Sequence, residues 1–230
     1  MTSENKHNGM IKAYVAMVDL AALALLALYP AAGLKDNPGT LVLLLVLVAV
    51  LGMRPVRIRS LKIQVAALDL FVLSALVLLD PKTAPLIALV GVIAAVFGPG
   101  RRPMSIRAAF NLGVVPLSAS LAALTYVRLI GDATDDAARY AIPLVAATAV
   151  YFIVNTVLAA LAVALETKKN LFSVWIGFGP WNGVSTLASM VMAIGLAVLV
   201  GSFGPLVLLI GLIISIPILA QGRLREMREQ

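Results

Sequence analysis

Two apolar runs, residues 61–79 and 83–97, are joined by nothing more than Asp80-Pro81-Lys82, and positive side chains flank the pair on either side. Arg54, Arg57 and Arg59 precede it, with Lys62 at its very start; Arg101, Arg102 and Arg107 follow it. Cations at both open ends and a tight turn between the rods describe a hairpin that enters a bilayer and returns to the side it left, because Lys and Arg are retained on the cytoplasmic face. One carboxylate, Asp69, falls near the middle of the first rod on this reading. The remainder of the chain has the same character. Hydrophobic residues make up 61% of it and charged residues 13%, with a mean hydropathy of +1.02. That leaves too little polar surface to cover a water-soluble core.

Taken in order, the apolar runs are residues 11–33, 40–53, 61–79, 83–97, 104–130, 140–165, 171–200 and 205–220. The second is short and reads as a thin or tilted crossing. With the N-terminus inside and strict alternation, 14 of the 18 Lys and Arg residues fall on one side. Only Lys35, Lys82, Arg128 and Arg139 fall on the other, beside five aspartates. A wrong span count would scramble this asymmetry. The expected fold is therefore all-α, a polytopic integral membrane helical bundle of about eight transmembrane helices with both termini cytoplasmic. Its parts are a polar N-terminal tail (1–10), a single transmembrane helical domain (11–222) and a charged cytoplasmic tail (223–230). The first apolar run is long and lacks a small-residue cleavage pattern, so it reads as a retained span rather than a signal peptide.

The net charge of +7 sits at helix ends, where it serves topology and lipid headgroups, so no nucleic-acid partner is expected. There is no cysteine, and the one histidine, His7, lies in the polar tail. Disulfides, thiolate ligands and His-based metal sites are thereby excluded, and no cofactor is expected. No base, paired carboxylates or phosphate-cradling glycine loop suggests an enzyme.

Chemistry is confined to polar residues inside the apolar runs. An ionised aspartate at mid-helix costs about 2.5–3.5 kcal/mol on insertion scales, so Asp69, and Asp19 in the first span, should face the bundle interior. Three later spans each carry a polar stripe at helical spacing. Arg107, Asn111, Ser118 and Thr125 lie on the fifth; Thr148, Tyr151 and Asn155 on the sixth; Asn182, Ser185, Thr186 and Ser189 on the seventh. Such stripes serve either as pocket walls or as interhelical hydrogen-bond glue worth about 0.6 kcal/mol per contact. Around Asn182, Pro180 with Gly177, Gly179 and Gly183 predicts a kinked or broken helix, a form tolerated where it lines a cavity.

The block from Arg54 to Tyr126 resembles the N-terminal membrane region of bacterial HD-GYP and GGDEF cyclic-dinucleotide signalling proteins. The resemblance rests on the Arg-rich loop, the Asp80-Pro81 turn, Ala84-Pro85-Leu86, Arg101-Arg102-Pro103 and Arg107-Ala108-Ala109-Phe110-Asn111. It continues through Tyr151-Phe152-Ile153-Val154-Asn155-Thr156 and the Trp-bearing segment after Leu171. The layout of the later spans is also similar to the substrate-binding subunits of energy-coupling-factor vitamin transporters. The first resemblance implies a sensor in the bacterial inner membrane, the second a transport subunit. No catalytic module follows Gln230, so on the first reading the output passes through a protein partner or a longer chain.

The expected function is thus a non-enzymatic membrane sensory or ligand-binding module, with a small-solute transporter subunit and an assembly subunit of a larger membrane complex as alternatives. Its expected partners are the lipid bilayer, a small hydrophobic or amphipathic ligand, and a cytoplasmic or membrane protein. The expected pocket is formed by Asp69, Asn111, Tyr151, Asn155, Asn182 and Ser185, with Arg107 at its cytoplasmic edge and the Trp181 segment as its movable wall.

Overall fold

Apolar residues without interruption favour helix in a medium that offers the backbone no water to bond, and helices carry almost all of the described chain. The computed structural model describes residues 3–28, 37–52, 56–58, 63–65, 67–98, 105–130 and 137–210. Seven α-helices lie among them: α1 (Ser3–Leu28), α2 (Pro38–Gly52), α3 (Ala67–Leu78), α4 (Ala84–Phe97), α5 (Ile106–Ile130), α6 (Ala137–Thr167) and α7 (Leu171–Phe203). They match the first seven apolar runs in order. The greater part of the eighth run, beyond residue 210, lies outside the described residues.

Their ends follow from local chemistry. The Asn170 side chain accepts from the Phe172 and Ser173 amides at 2.9 and 3.4 Å and caps the start of α7, satisfying amides that have no partner inside the helix. Ser105 does the same for Ala108 at the start of α5 (3.2 Å). Between α3 and α4 the Asp80 carboxylate accepts from the Lys82 amide at 3.0 Å, and Thr83 donates to the Asp80 carbonyl at 2.7 Å. Those bonds fold Pro81–Thr83 into one 3-10 turn and close the hairpin. Gly204, with φ of +77°, ends α7 in a backbone region that other residues adopt at a cost.

Four helices are long and apolar enough to cross a membrane: the α1 segment His7–Leu28, α5, the α6 segment Ala141–Thr167, and α7. At about 1.5 Å per residue, α5, α6 and α7 exceed a hydrocarbon core of about 30 Å. By contrast α2, α3 and α4 have 15, 12 and 14 residues, roughly 18–22 Å each, shorter than that core. They contribute much of the main core. Phe71, Val72, Leu73, Ala75 and Leu76 of α3, Ile87 and Ala88 of α4, and Leu44 and Val48 of α2 form the main core, which Ala119, Ala122, Tyr126 and Tyr151 complete. A second core joins α1 to α5 through Tyr14, Val15, Val18, Phe110, Val114 and Leu117. There the Tyr14 and Phe110 rings stack with centroids 6.0 Å apart.

Glycines set the closest approaches. A Cβ on Gly113 would run into Asp19 of α1, lying 2.9 Å from its Cα and 3.0 Å from its amide nitrogen. A Cβ on Gly91 would meet Leu68 and, at 2.7 Å, the Val48 side chain. In hydrocarbon, where lipid is as apolar as leucine, such backbone proximity is the chief source of helix–helix attraction.

Three features differ from the sequence expectations. The third rod begins at Ala67, not at residue 61, because Val56–Ile58 (β1) and Ile63–Val65 (β2) pair antiparallel within the first basic loop, Val56 opposite Val65. Both triplets alternate β-branched and polar residues, Val-Arg-Ile and Ile-Gln-Val, the period of a strand. Helix α1 reaches back to Ser3 through the segment expected as a polar tail. And α7 runs unbroken past Pro180. A proline in a membrane helix forfeits one backbone bond, and neighbouring helices can offset that loss; here Gly183 lets α7 lie against Phe152 of α6, 3.3 Å from its would-be Cβ.

Candidate functional site

The later start of α3 changes the setting of Asp69. The residue is in the first turn of the helix, where free amides and the positive end of the helix dipole favour a carboxylate. It is nonetheless deep in the bundle, since its partners lie near the midpoints of the two longest helices. The Tyr151 hydroxyl of α6 donates to Asp69 Oδ1 at 2.9 Å. The Thr186 hydroxyl of α7 donates to Oδ2 at 3.3 Å. Tyr151 is 1% exposed. One carboxylate thus ties α3 to both α6 and α7 through two hydroxyl donors, and among the described residues no cation pairs with it.

Around this junction lie hydroxyls of another kind. Several serine and threonine side chains in the bundle bond to a carbonyl one turn back in their own helix, among them Ser74 to Leu70, Ser118 to Val114, Ser120 to Pro116 and Thr125 to Leu121, at 2.7–2.9 Å. This is self-contained bonding that offers nothing to a ligand. Thr148, Ser185 and Ser189 are buried, and their hydroxyl oxygens have no partner among the described residues. Thr148 is one turn from Tyr151; Ser189 is one turn from Thr186, and Ser185 is its chain neighbour. Buried polar atoms are seldom left unbonded, so these three hydroxyls are the groups near the junction in sequence that still lack a protein partner among the described residues.

Of the residues expected to form a pocket, Asp69 and Tyr151 are in direct contact, Ser185 is buried next to Thr186, and Asn155 is half-buried one turn beyond Tyr151. Arg107 and Asn111 lie elsewhere. Both line a cleft between α1, α5 and α6, where Arg107 pairs with Glu166 at 2.7 Å. Trp181 (63% exposed) and Asn182 are on the outer surface of α7. The other tryptophan, Trp175, is half-buried and donates its indole N–H to Thr156 at 3.1 Å. Thr186 and Thr148, each part of a polar stripe, join the site that the stripes alone did not delimit. Their signal was the three-residue spacing to Ser189 and Tyr151. Glu166 carries no comparable signal.

A family model described as MASE9 matches residues 36–224, a stretch that contains α2 to α7 and the whole Asp69 junction and leaves α1 outside. No curated protein and no solved structure matches the chain.

Proposed function

This chain belongs to the MASE9 family, a membrane-associated sensory-type domain family, and on that premise we propose that it is a non-enzymatic, multi-pass sensor of the bacterial inner membrane whose ligand is read at the Asp69 junction. The observation that carries the reading is the junction itself: one acid linking three helices, with three unbonded hydroxyls beside it. The ligand class is a small amphipathic molecule with a hydrogen-bonding head. Such a group satisfies Thr148, Ser185 and Ser189 and competes for the donors of Tyr151 and Thr186. A ligand shifts a conformational equilibrium only by its differential affinity for two states. Here the states differ in whether α3 is held to α6 and α7 through Asp69.

The route outward is short. Helix α3 follows directly on β2, and β2 touches α7. A displacement of the first turn of α3 therefore moves the strand pair in the first basic loop. A partner that engages this loop receives the signal.

Mass spectrometry of small molecules retained by the purified chain, compared with Asp69→Asn and with the double variant Ser185→Ala/Ser189→Ala, tests the reading. A molecule held by the wild type and lost from both variants is the expected result. Equal retention by all three, or tracer flux through the chain in liposomes, would overturn it.

A further inference from the structure

The cleft that holds Arg107 is separate from the Asp69 junction and depends on α1, which lies outside the family match. Helices α1 and α6 both pack along α5 but touch each other little, so α5 forms the floor and the other two form the walls. The cleft is open on one side and has a volume of about 720 Å³, within the range of small-molecule sites. Its inner surface is apolar, with Val15, Phe110 and Ala162; its rim carries Lys12, Arg107 and Asn111. Beside it Tyr14 donates to the Leu158 carbonyl at 2.9 Å and ties α1 to α6.

Among the described residues the rim holds two cations against one carboxylate. Arg107 gives one terminal nitrogen to Glu166 and is 76% exposed; a guanidinium has five N–H donors, so most remain for a second acceptor. Lys12 is exposed on the α1 wall. Two cations at a membrane-side rim above an apolar slot match an anionic head carried on a hydrocarbon tail. A free phosphate would leave the slot unfilled, and an uncharged lipid would leave the cations unused. This end of the bundle is the one that the charge asymmetry places at the cytoplasmic leaflet, where anionic lipids are concentrated.

We infer that this cleft is a binding site for an anionic phospholipid, its phosphate between Lys12 and Arg107 and the start of an acyl chain along Val15 and Phe110. Bound there, the lipid holds α1 and α6 at a fixed separation over α5.

The test is native mass spectrometry of the detergent-solubilised chain titrated with phosphatidylglycerol, with phosphatidylcholine and with inorganic phosphate. A charge near the membrane surface is worth roughly a factor of five in affinity, so Lys12→Gln/Arg107→Gln should bind phosphatidylglycerol roughly 30-fold more weakly. The control Lys168→Gln/Lys169→Gln removes the same charge from the neighbouring loop and should bind as the wild type does. Ala162→Trp, which fills the slot without altering charge, should also weaken binding. Equal loss in both glutamine variants would reduce the effect to diffuse surface attraction and overturn the site. Displacement of the lipid by millimolar inorganic phosphate, or equal binding of phosphatidylcholine, would overturn the lipid assignment.

Discussion

Replacing Gly113 by alanine adds one methyl group at the crossing of α1 and α5. That methyl would sit 2.9 Å from Asp19 Cα and 3.0 Å from its amide nitrogen, whereas carbon atoms rest at about 3.5–4.0 Å. The Asp19 carboxylate can rotate away, but the α1 backbone cannot, so the helices must part by roughly 0.5–1 Å. A gap of that size forfeits about a quarter to a half of each dispersion contact along the seam, including the Tyr14–Phe110 stack. Overpacking of this kind costs about 1–3 kcal/mol. The opposing gain from replacing glycine in a helix is about 0.8–1 kcal/mol on scales measured in water. The net expectation is a loss of up to about 2 kcal/mol. Gly195 provides the internal control. It lies in α7 with nothing within 4 Å of its would-be Cβ, so the same substitution there collects the propensity gain without the clash. SDS titration of both variants in mixed micelles, followed by tryptophan fluorescence, should place Gly113→Ala below the wild type and Gly195→Ala at or above it. Equal midpoints for the two would refute the close crossing of α1 and α5.

Gly91→Ala should cost less than Gly113→Ala in the same titration, because the obstructing atoms are the ends of the Leu68 and Val48 side chains, which can shift. Tyr151→Phe should destabilise by about 1 kcal/mol and Thr186→Val by less, since the second bond to Asp69 is the longer; a double-mutant cycle of Tyr151→Phe with Asp69→Asn should show coupling, and strict additivity would refute the bond. Asn170→Ala removes the cap of α7 and should cost about 1 kcal/mol, read as faster amide exchange at Phe172 and Ser173. Glu166→Gln should leave the unfolding midpoint within about 0.5 kcal/mol of the wild type, because an ion pair this exposed contributes little.

Asp69, Tyr151 and Thr186 show how much of the site was legible in the sequence. Each stood out as a polar group in an apolar run, and the spacing of Thr148 to Tyr151 and of Ser185 to Ser189 placed those residues on shared helix faces. Which faces would meet was not readable. Asn111, Trp181 and Asn182 carry the same kind of signal and point elsewhere. The pairing of Val56–Ile58 with Ile63–Val65 was written in their alternation, but the charges around them favoured reading a plain loop.

The chain by itself determined its solvent, the order of its first seven helices and the identity of the few groups able to hydrogen-bond inside them. Those follow from composition, run length and charge bias, which act along the sequence. The rotation of each helix was decided only in three dimensions. A helix apolar on all sides has no polar face to set its orientation in lipid, so close contacts such as Gly113 on Asp19 and the bonds converging on Asp69 fix which stripe looks inward.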